Sequence, residues 1–342
     1  MQIGIFDEEK RLEKISEMGD SLEKLNRVIE WEKFRPILKK ALKKEHKGAG
    51  GRPPYDYLLM FKILVLQRIY NLSDEQTEYQ INDRISFMRF LGLNFEDKIP
   101  DAKTIWLFRE TLVNAEIIEK LFKKFSEQLE ERHLITRTGT IVDATFVEAP
   151  RGHNNKEENK AIKEDKIPEE WTKPENKNKL RQKDTDAQWT RKCGIAHYGY
   201  KNHVKVDAES KIIVDYLTTS ARVHDSQAIP ELIDEKDNVL YGDSAYWGKP
   251  VNNALPQNVE NRVNERGTKK KPLTEEQKAS NFMKSKTRCR VEHVFAFISQ
   301  TMHGSHLRSI GIRRAKYQVG LTNLIYNLFR YELLMRCKNT VC

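Results

Sequence analysis

From about residue 6 to residue 132, apolar side chains recur at three- and four-residue spacing. Leu58, Phe61, Ile63, Leu66 and Ile69 form one such run, and Ile105, Phe108, Leu112, Ile117, Leu121 and Phe125 form another. This period predicts a half built almost wholly of helices. Its breaks agree: Gly48 to Pro54 interrupts the pattern, Ser73 with Gln76 three residues later makes a capping box, and Pro100-Asp101 precedes a further helix start. Beyond Arg137 the period changes. Thr140, Val142, Thr145 and Val147 are β-branched residues in a run closed by Pro150, which predicts a strand ending near Glu148. Tyr200 to Val206 and Ile212 to Thr218 flank the turn-like stretch Asp207 to Ser210 and predict an antiparallel hairpin. Asp225 or Ser226 then caps a helix through about Ile233, Val239 to Tyr241 makes a short buried strand, and Val259 to Val263 a further one. From Thr287 a helical pattern through Val291, Val294, Phe295 and Ile298 leads into a helical end.

Strand, hairpin, helix, strand, strand, helix is the order of a mixed sheet of ribonuclease H type. The predicted architecture is therefore α+β: a ribonuclease H-like mixed sheet with flanking helices, preceded by an all-helical N-terminal domain. We place the helical domain at 1–135 and the sheet domain at 136–342. Residues 151 to 192 stand apart, with 12 basic and 9 acidic residues and few apolar ones beyond Trp171 and Trp189. Such a composition buries too little apolar surface to offset its ordering entropy, so this segment is expected to be a charged, flexible excursion that orders on DNA.

Composition narrows the function. A chain of 342 residues with 38% hydrophobic content has room for about two packed domains. Its 60 basic and 50 acidic residues leave a net charge of +10, which favours a polyanionic partner over a membrane surface. The longest apolar stretch, Tyr57 to Leu66, is interrupted by Lys62 and is too short to span a bilayer. The N-terminus lacks the pattern of a secretory signal, so a cytoplasmic, DNA-associated location is expected. Cys193, Cys289, Cys337 and Cys342 show neither paired C-x-x-C spacing nor a disulfide framework, which fits a reducing compartment and argues against a zinc knuckle.

The candidate chemistry rests on three carboxylates: Asp143 in IVDATFVEAP, Asp243 in VLYGDSAYWG and Glu292 in TRCRVEHVFAFI. Each aspartate alone also reads as a turn or cap residue. In an open sheet, however, ligands gather at strand carboxyl ends, where both aspartates are expected. Phosphodiester cleavage needs an activated water or hydroxyl and a stabilised leaving oxygen, and two ions about 3.5 to 4 Å apart supply both. Magnesium is usually held by one or two protein carboxylates, so these three suffice for two ions, with manganese as a substitute. In this arrangement Asp143 bridges both ions, Asp243 holds one and Glu292 the other.

At these residues the chain resembles the DDE transposases of bacterial insertion sequences, in the group whose prototype is insertion sequence five, within the insertion sequence four-like superfamily. The resemblance covers nearly the whole length, through IEWEKFRPILKKAL, GRPPYDYLLMFKILVLQRIYNLSDEQTEYQINDRISFMRFLGL, VDATFVEAP, AQWTRKCGIAHYGYKNHVKVDAESKIIV, TTSARVHDSQAIPEL, YGDSAYWG and RCRVEHVFAF. It implies Asp143, Asp243 and Glu292 as the catalytic triad, divalent metal, and the cutting and joining of transposon ends. Relatives often carry Tyr-x2-Arg-x3-Glu-x6-Lys around the glutamate. Arg288 and Glu292 match it, four apart on one helical face, where the guanidinium is expected to hold a phosphate. Ser285 and Ser299 stand where tyrosine and lysine would be, which removes the DNA-end contacts of those two positions.

Basic stretches at Arg35 to Arg52, Asn261 to Arg290 and Thr301 to Cys342 outline a DNA footprint, or else solvated charged faces. Arg52, Lys269, Lys270, Lys271, Arg288 and Arg290 are the basic DNA-contact candidates. Tyr246 and Trp247 follow the second aspartate, where a ring could stack on an unpaired base or simply pack. His224 and Asp225 read as a helix cap, and His293 points to a different face from Glu292. The expected function is a homodimeric transposase that binds terminal inverted repeats, cleaves the element's ends and joins the 3′ hydroxyls to target DNA. A catalytically silent DNA-binding repressor or architectural protein, and a nuclease without joining activity, are the alternatives.

Overall fold

A computed structural model describes residues 7–42, 54–150, 152–164, 166–192 and 194–340. The chain forms two compact units, one of residues 1–125 with 324–342 and the other of residues 126–323.

The first unit is helical: α1 (Asp7–Glu17), α2 (Ser21–Val28), α3 (Arg35–Leu42), α4 (Tyr57–Ile69), α5 (Asp74–Asp83), α6 (Ile85–Leu91), α7 (Ala102–Asn114) and the start of α8 (Ile118–Glu131). Leu58, Met60, Phe61, Ile63, Leu64, Val65 and Leu66 are all buried, so α4 is covered on most sides and forms the centre of this unit. Phe34 packs on Phe61 and on Phe125, with ring centroids 5.5 and 6.2 Å apart. Ser73 and Gln76 form the expected capping box of α5, and Asp101 caps α7. Within the cap of α5, Asp74 receives both guanidinium nitrogens of Arg109 at 2.6 and 2.9 Å. Residues 324–342 group with these helices. Leu324, Ile325, Leu328 and Tyr331 are buried, and the Tyr331 ring meets Phe125 edge-on at 5.9 Å.

The second unit is built on a mixed sheet. β1 (Thr140–Glu148) lies at its centre and is followed by three short helices, α9 (Lys156–Lys163), α10 (Glu169–Thr172) and α11 (Lys177–Gln182). β2 (Gln188–Lys192), β3 (Ile195–Asp207) and β4 (Ile213–Ser220) come next, then α12 (Ile229–Leu232), β5 (Val239–Tyr241), α13 (Lys249–Ala254) and β6 (Glu260–Asn261). α14 (Glu275–Arg288), α15 (Arg290–Ala296) and α16 (Ile312–Thr340) complete the chain. β3 runs antiparallel to β1 and β4 antiparallel to β3, while β5 is parallel to β1 and β6 parallel to β5. The order β4-β3-β1-β5-β6, with three antiparallel strands followed by two parallel ones, is a ribonuclease H-like sheet. β2 adds to the first residues of β3.

The β3–β4 turn forms because Asp207 accepts the Ser210 N–H and hydroxyl at 2.8 and 2.7 Å with one carboxylate oxygen. Its other oxygen takes the N–H groups of Thr136 and Arg137. Gly199 is required where β1 and β3 come closest. Its φ is +148°, and a Cβ there would lie 2.4 Å from the Val147 carbonyl oxygen. Val142 and Val147, of opposite parity on β1, contribute to separate apolar clusters on the two faces of the sheet.

Within the segment expected to be a flexible excursion, the described residues form α9, α10, α11 and β2. Trp171 is fully buried, and its indole N–H donates to Glu158 at 2.9 Å. Lys183 reaches the same carboxylate at 3.1 Å and Lys179 at 3.4 Å. Asp184 accepts the Tyr200 hydroxyl at 2.8 Å and so ties the segment to β3. Few apolar groups are needed because a polar network orders the chain around one tryptophan. Despite the opposing effect of burial, the Asn155 N–H, the Trp171 indole and Lys183 hold the Glu158 carboxyl down to about 2. Its unfolded value is near 4.5, so its stabilising contribution is complete above pH 4.5 and is lost as pH falls toward 2. Trp171 fluorescence is expected to shift toward that of exposed tryptophan over this window. Glu158→Gln, which is expected to destabilise the segment by about 2 kcal/mol, should flatten the acid response; an unchanged response in the variant would contradict this role.

Candidate active site

Asp143 is the fourth residue of β1, opposite Val204 of β3. It is therefore not at a strand end, as expected from the sequence, but in the middle of the central strand. What opens the sheet beside it is the shortness of β5. The parallel register pairs Thr140 with Leu240 and Ile141 with Tyr241, and β5 ends there. Continuing that offset brings Asp143 level with Asp243, two residues past the strand. Asp243 is fixed by its own turn, since it accepts the Ala245 N–H at 2.8 Å and caps the 3-10 turn Ser244–Tyr246.

Burial, the largest influence, pushes the Asp143 carboxyl up to about 6. The Ala144 N–H opposes this at 2.8 Å, the Asp243 charge adds to it, and Arg288 and Lys192 oppose it. Asp143 is thus desolvated within reach of a second negative charge. Such a carboxylate is favoured as a partner for a cation.

Glu292 comes from α15, whose apolar side turns Val291 and Val294 into the core and leaves the glutamate outward. Arg288 links the two halves of the site. One guanidinium nitrogen donates to Asp143 Oδ2 at 3.2 Å and the other to Glu292 Oε1 at 3.0 Å. The preceding helix α14 is positioned by hydrogen bonds to the chain beyond β6. Asn264 donates to Ser285 at 2.9 Å, and Asn281 bonds both the N–H and the carbonyl of Glu265. Ser285 and Ser299, the two departures from the signature, serve local structure here, the latter donating to the Ala296 carbonyl at 3.3 Å.

Among the described residues, no three side chains of metal-binding type converge closely enough to hold an ion. The donor set nevertheless suits a hard divalent cation. It consists of carboxylates only, with Asp143 desolvated beside Asp243 and Glu292 one guanidinium away. Asp143, Asp243 and Glu292 are the residues that would hold it.

The expected DNA contacts divide. Tyr246 is 0% exposed and packs in the cluster around Val142, Ala228 and Val251, so its ring cannot stack on a base. Of the two readings of Tyr246, packing is the one observed: the turn that presents Asp243 drives the ring inward against Gly242. Trp247 beside it is 43% exposed. Arg290 is held on the Ala208 carbonyl at 2.8 Å, although its residue surface is exposed. Lys269, Lys270 and Lys271 are exposed in a turn closed by backbone bonds between Thr268 and Lys271. Arg52 lies outside the described residues, as do Cys193 and Cys342; Cys289 and Cys337 are free and exposed. His224 caps the turn that begins at Asp225, and His293 is exposed.

A polar layer on the other face of the sheet from Asp143, the face of Val142 and Ala144, was not anticipated. Lys201 pairs with Asp225 at 2.7 Å and also donates to the Val223 carbonyl at 2.7 Å. His203, opposite Ala144, bonds Thr219 at 2.9 Å, and burial pushes its imidazole down to about 4. The signal was present in GYKNHVKVD. Lys201, His203 and Lys205 alternate along β3, which puts all three on one face of a buried strand.

The fold and this arrangement define a ribonuclease H-like domain with Asp143 on its central strand and Asp243 level with it. Residues 135–328 match the model of the transposase DDE domain family, and residues 10–111 match that of a transposase domain (DUF772). The first match spans more than half of the chain, which belongs to the transposase DDE domain family. Among solved structures, the chain is similar to that of the piggyBac transposase synaptic complex with hairpin DNA, determined by cryo-EM. The identity is 13% and the TM-score 0.45, over 93% of this chain and 74% of that one. No helix among the described residues is long and apolar enough to cross a membrane.

Proposed function

We propose that this protein is the transposase of a bacterial insertion sequence of the insertion sequence five group. It would bind the element's terminal inverted repeats as a homodimer, cleave phosphodiester bonds at its ends and join the freed 3′ hydroxyls to target DNA. The observation that carries this reading is the parallel register that aligns Asp143 with Asp243, with Arg288 joining Asp143 to Glu292. Divalent ions, when bound, supply activation of the attacking oxygen and charge stabilisation of the leaving one. The chain's own contribution is orientation: β1 and the Asp243 turn fix two carboxylates, and α15 presents the third. Asp143, desolvated, interacts with a cation more strongly than a surface carboxylate would. Arg288, and the lysines of the 269–271 turn, are suited to phosphates. The helical unit is the proposed reader of the terminal repeat, and the location that follows is cytoplasmic and DNA-associated.

The test is incubation of purified protein with magnesium or manganese, labelled duplexes of the element's ends and a target plasmid. Metal-dependent cleavage followed by joined products is the expected result. Cleavage without joining would identify a nuclease, and end binding without cleavage under either metal would identify a DNA-binding repressor or architectural protein.

A further inference from the structure

The guanidinium of Arg288 faces Asp143 and Glu292 at once, at 3.2 and 3.0 Å, and so occupies the ground between two carboxylates. A guanidinium and a divalent cation repel each other and compete for the same oxygens. The same planar group binds phosphate as well as it binds carboxylate. Neither contact is locked in: the Arg288 side chain is 21% exposed and that of Glu292 62%. A phosphate approaching from solvent can therefore draw the arginine away, and Glu292 is free to swing toward Asp143.

We propose that Arg288 is an exchange latch. Without DNA it holds Asp143 and Glu292 and keeps the divalent cation out; a DNA phosphate takes the guanidinium over and opens the carboxylates to metal. Metal and DNA binding are then coupled through one side chain, and the coupling is reciprocal. The inference rests on the reading of Asp143 and Glu292 as metal ligands. Lys192 provides a control for simple charge, because it acts on Asp143 electrostatically while its ammonium lies over the Phe146 ring at 5.9 Å.

The test is manganese binding to the full chain without DNA, followed by electron paramagnetic resonance titration. Arg288→Gln is expected to bind manganese roughly tenfold more tightly than the unaltered protein. Arg288→Lys, which keeps the charge but loses the fork, is expected to bind more tightly too, and Lys192→Gln to change affinity by only about twofold. Adding a blunt DNA duplex that carries the element's own terminus should tighten binding more in the unaltered protein than in Arg288→Gln. The latch is overturned if Arg288→Gln gains no more than Lys192→Gln, or if DNA tightens binding equally with and without the arginine. Failure of the metal-site reading looks different: no protein, with or without DNA, would then show manganese binding that Asp143→Asn abolishes.

Discussion

Asp143→Asn is expected to reduce metal-dependent cleavage of element ends by roughly a thousandfold or more, since losing about 4 kcal/mol of charge stabilisation changes a rate by that factor. Asp243→Asn and Glu292→Gln are expected to act in the same direction, and end binding measured by gel shift should persist in all three. Asp143 is the most informative of them because its stability effect has the opposite sign. Its carboxyl titrates near 6 in the folded protein and near 3.8 in the unfolded chain. A raised carboxyl destabilises the fold once it ionises: the penalty is absent below pH 3.8, grows between 3.8 and 6, and is complete above 6. It amounts to about 2 to 3 kcal/mol, reduced in the variant by loss of part of the Arg288 contact. The inactive variant should therefore melt no lower than the unaltered protein at pH 7, and its advantage should vanish at pH 4. Retained cleavage would remove Asp143 from the catalytic assignment. A large drop in melting temperature would instead make it a structural residue.

Asp237→Asn is expected to destabilise the second unit by about 2 to 3 kcal/mol, because the buried Lys205 then keeps only the more exposed Asp234, at 3.3 Å, as a counter-ion. Lys205 on β3 meets Asp237 at 2.6 Å, with side chains 1% and 0% exposed. The carboxylate is fully engaged, accepting the Thr140 hydroxyl at 2.9 Å and the Asp234 N–H at 3.0 Å. These bonds join β3, the first residue of β1 and the turn that leads into β5. The pair thus sits where the parallel register is set, and Asp237→Asn should lower cleavage as well as stability. Replacing both partners, as Lys205→Met with Asp237→Leu, should recover most of the loss, because desolvation of both charges is then relieved. Urea midpoints of the three proteins measure this directly; a single-variant loss below about 1 kcal/mol would show that water reaches the site.

Much of this was legible in the sequence. The helical period from residue 6 to 132, the capping box at Ser73, the β-branched run of β1 and the Asp207 to Ser210 turn are local signals, and each appears as an element. So are the acidic positions, because an aspartate in an apolar run stands out from its neighbours. Elsewhere local rules misled. Polar composition made residues 151 to 192 read as unstructured, yet Glu158 gathers Trp171 and two lysines, and Asp184 bonds Tyr200 of β3. Tyr246 followed Asp243 closely enough to suggest a DNA contact, but the tight turn at Asp243 sends its ring into the core.

By itself, the sequence determined the helical half, the order of the strands β1, β3, β4 and β5, the basic charge and the three carboxylates, since all of these follow from short-range period or residue chemistry. Only the tertiary structure decided how the carboxylates relate. A register offset aligns Asp143 with Asp243, and a guanidinium spans Asp143 and Glu292. Residues 324–342 likewise join the helical unit through contacts far apart in the chain. Each depends on strand pairing, burial or a fork of hydrogen bonds between distant segments, and nothing in the local pattern encodes that.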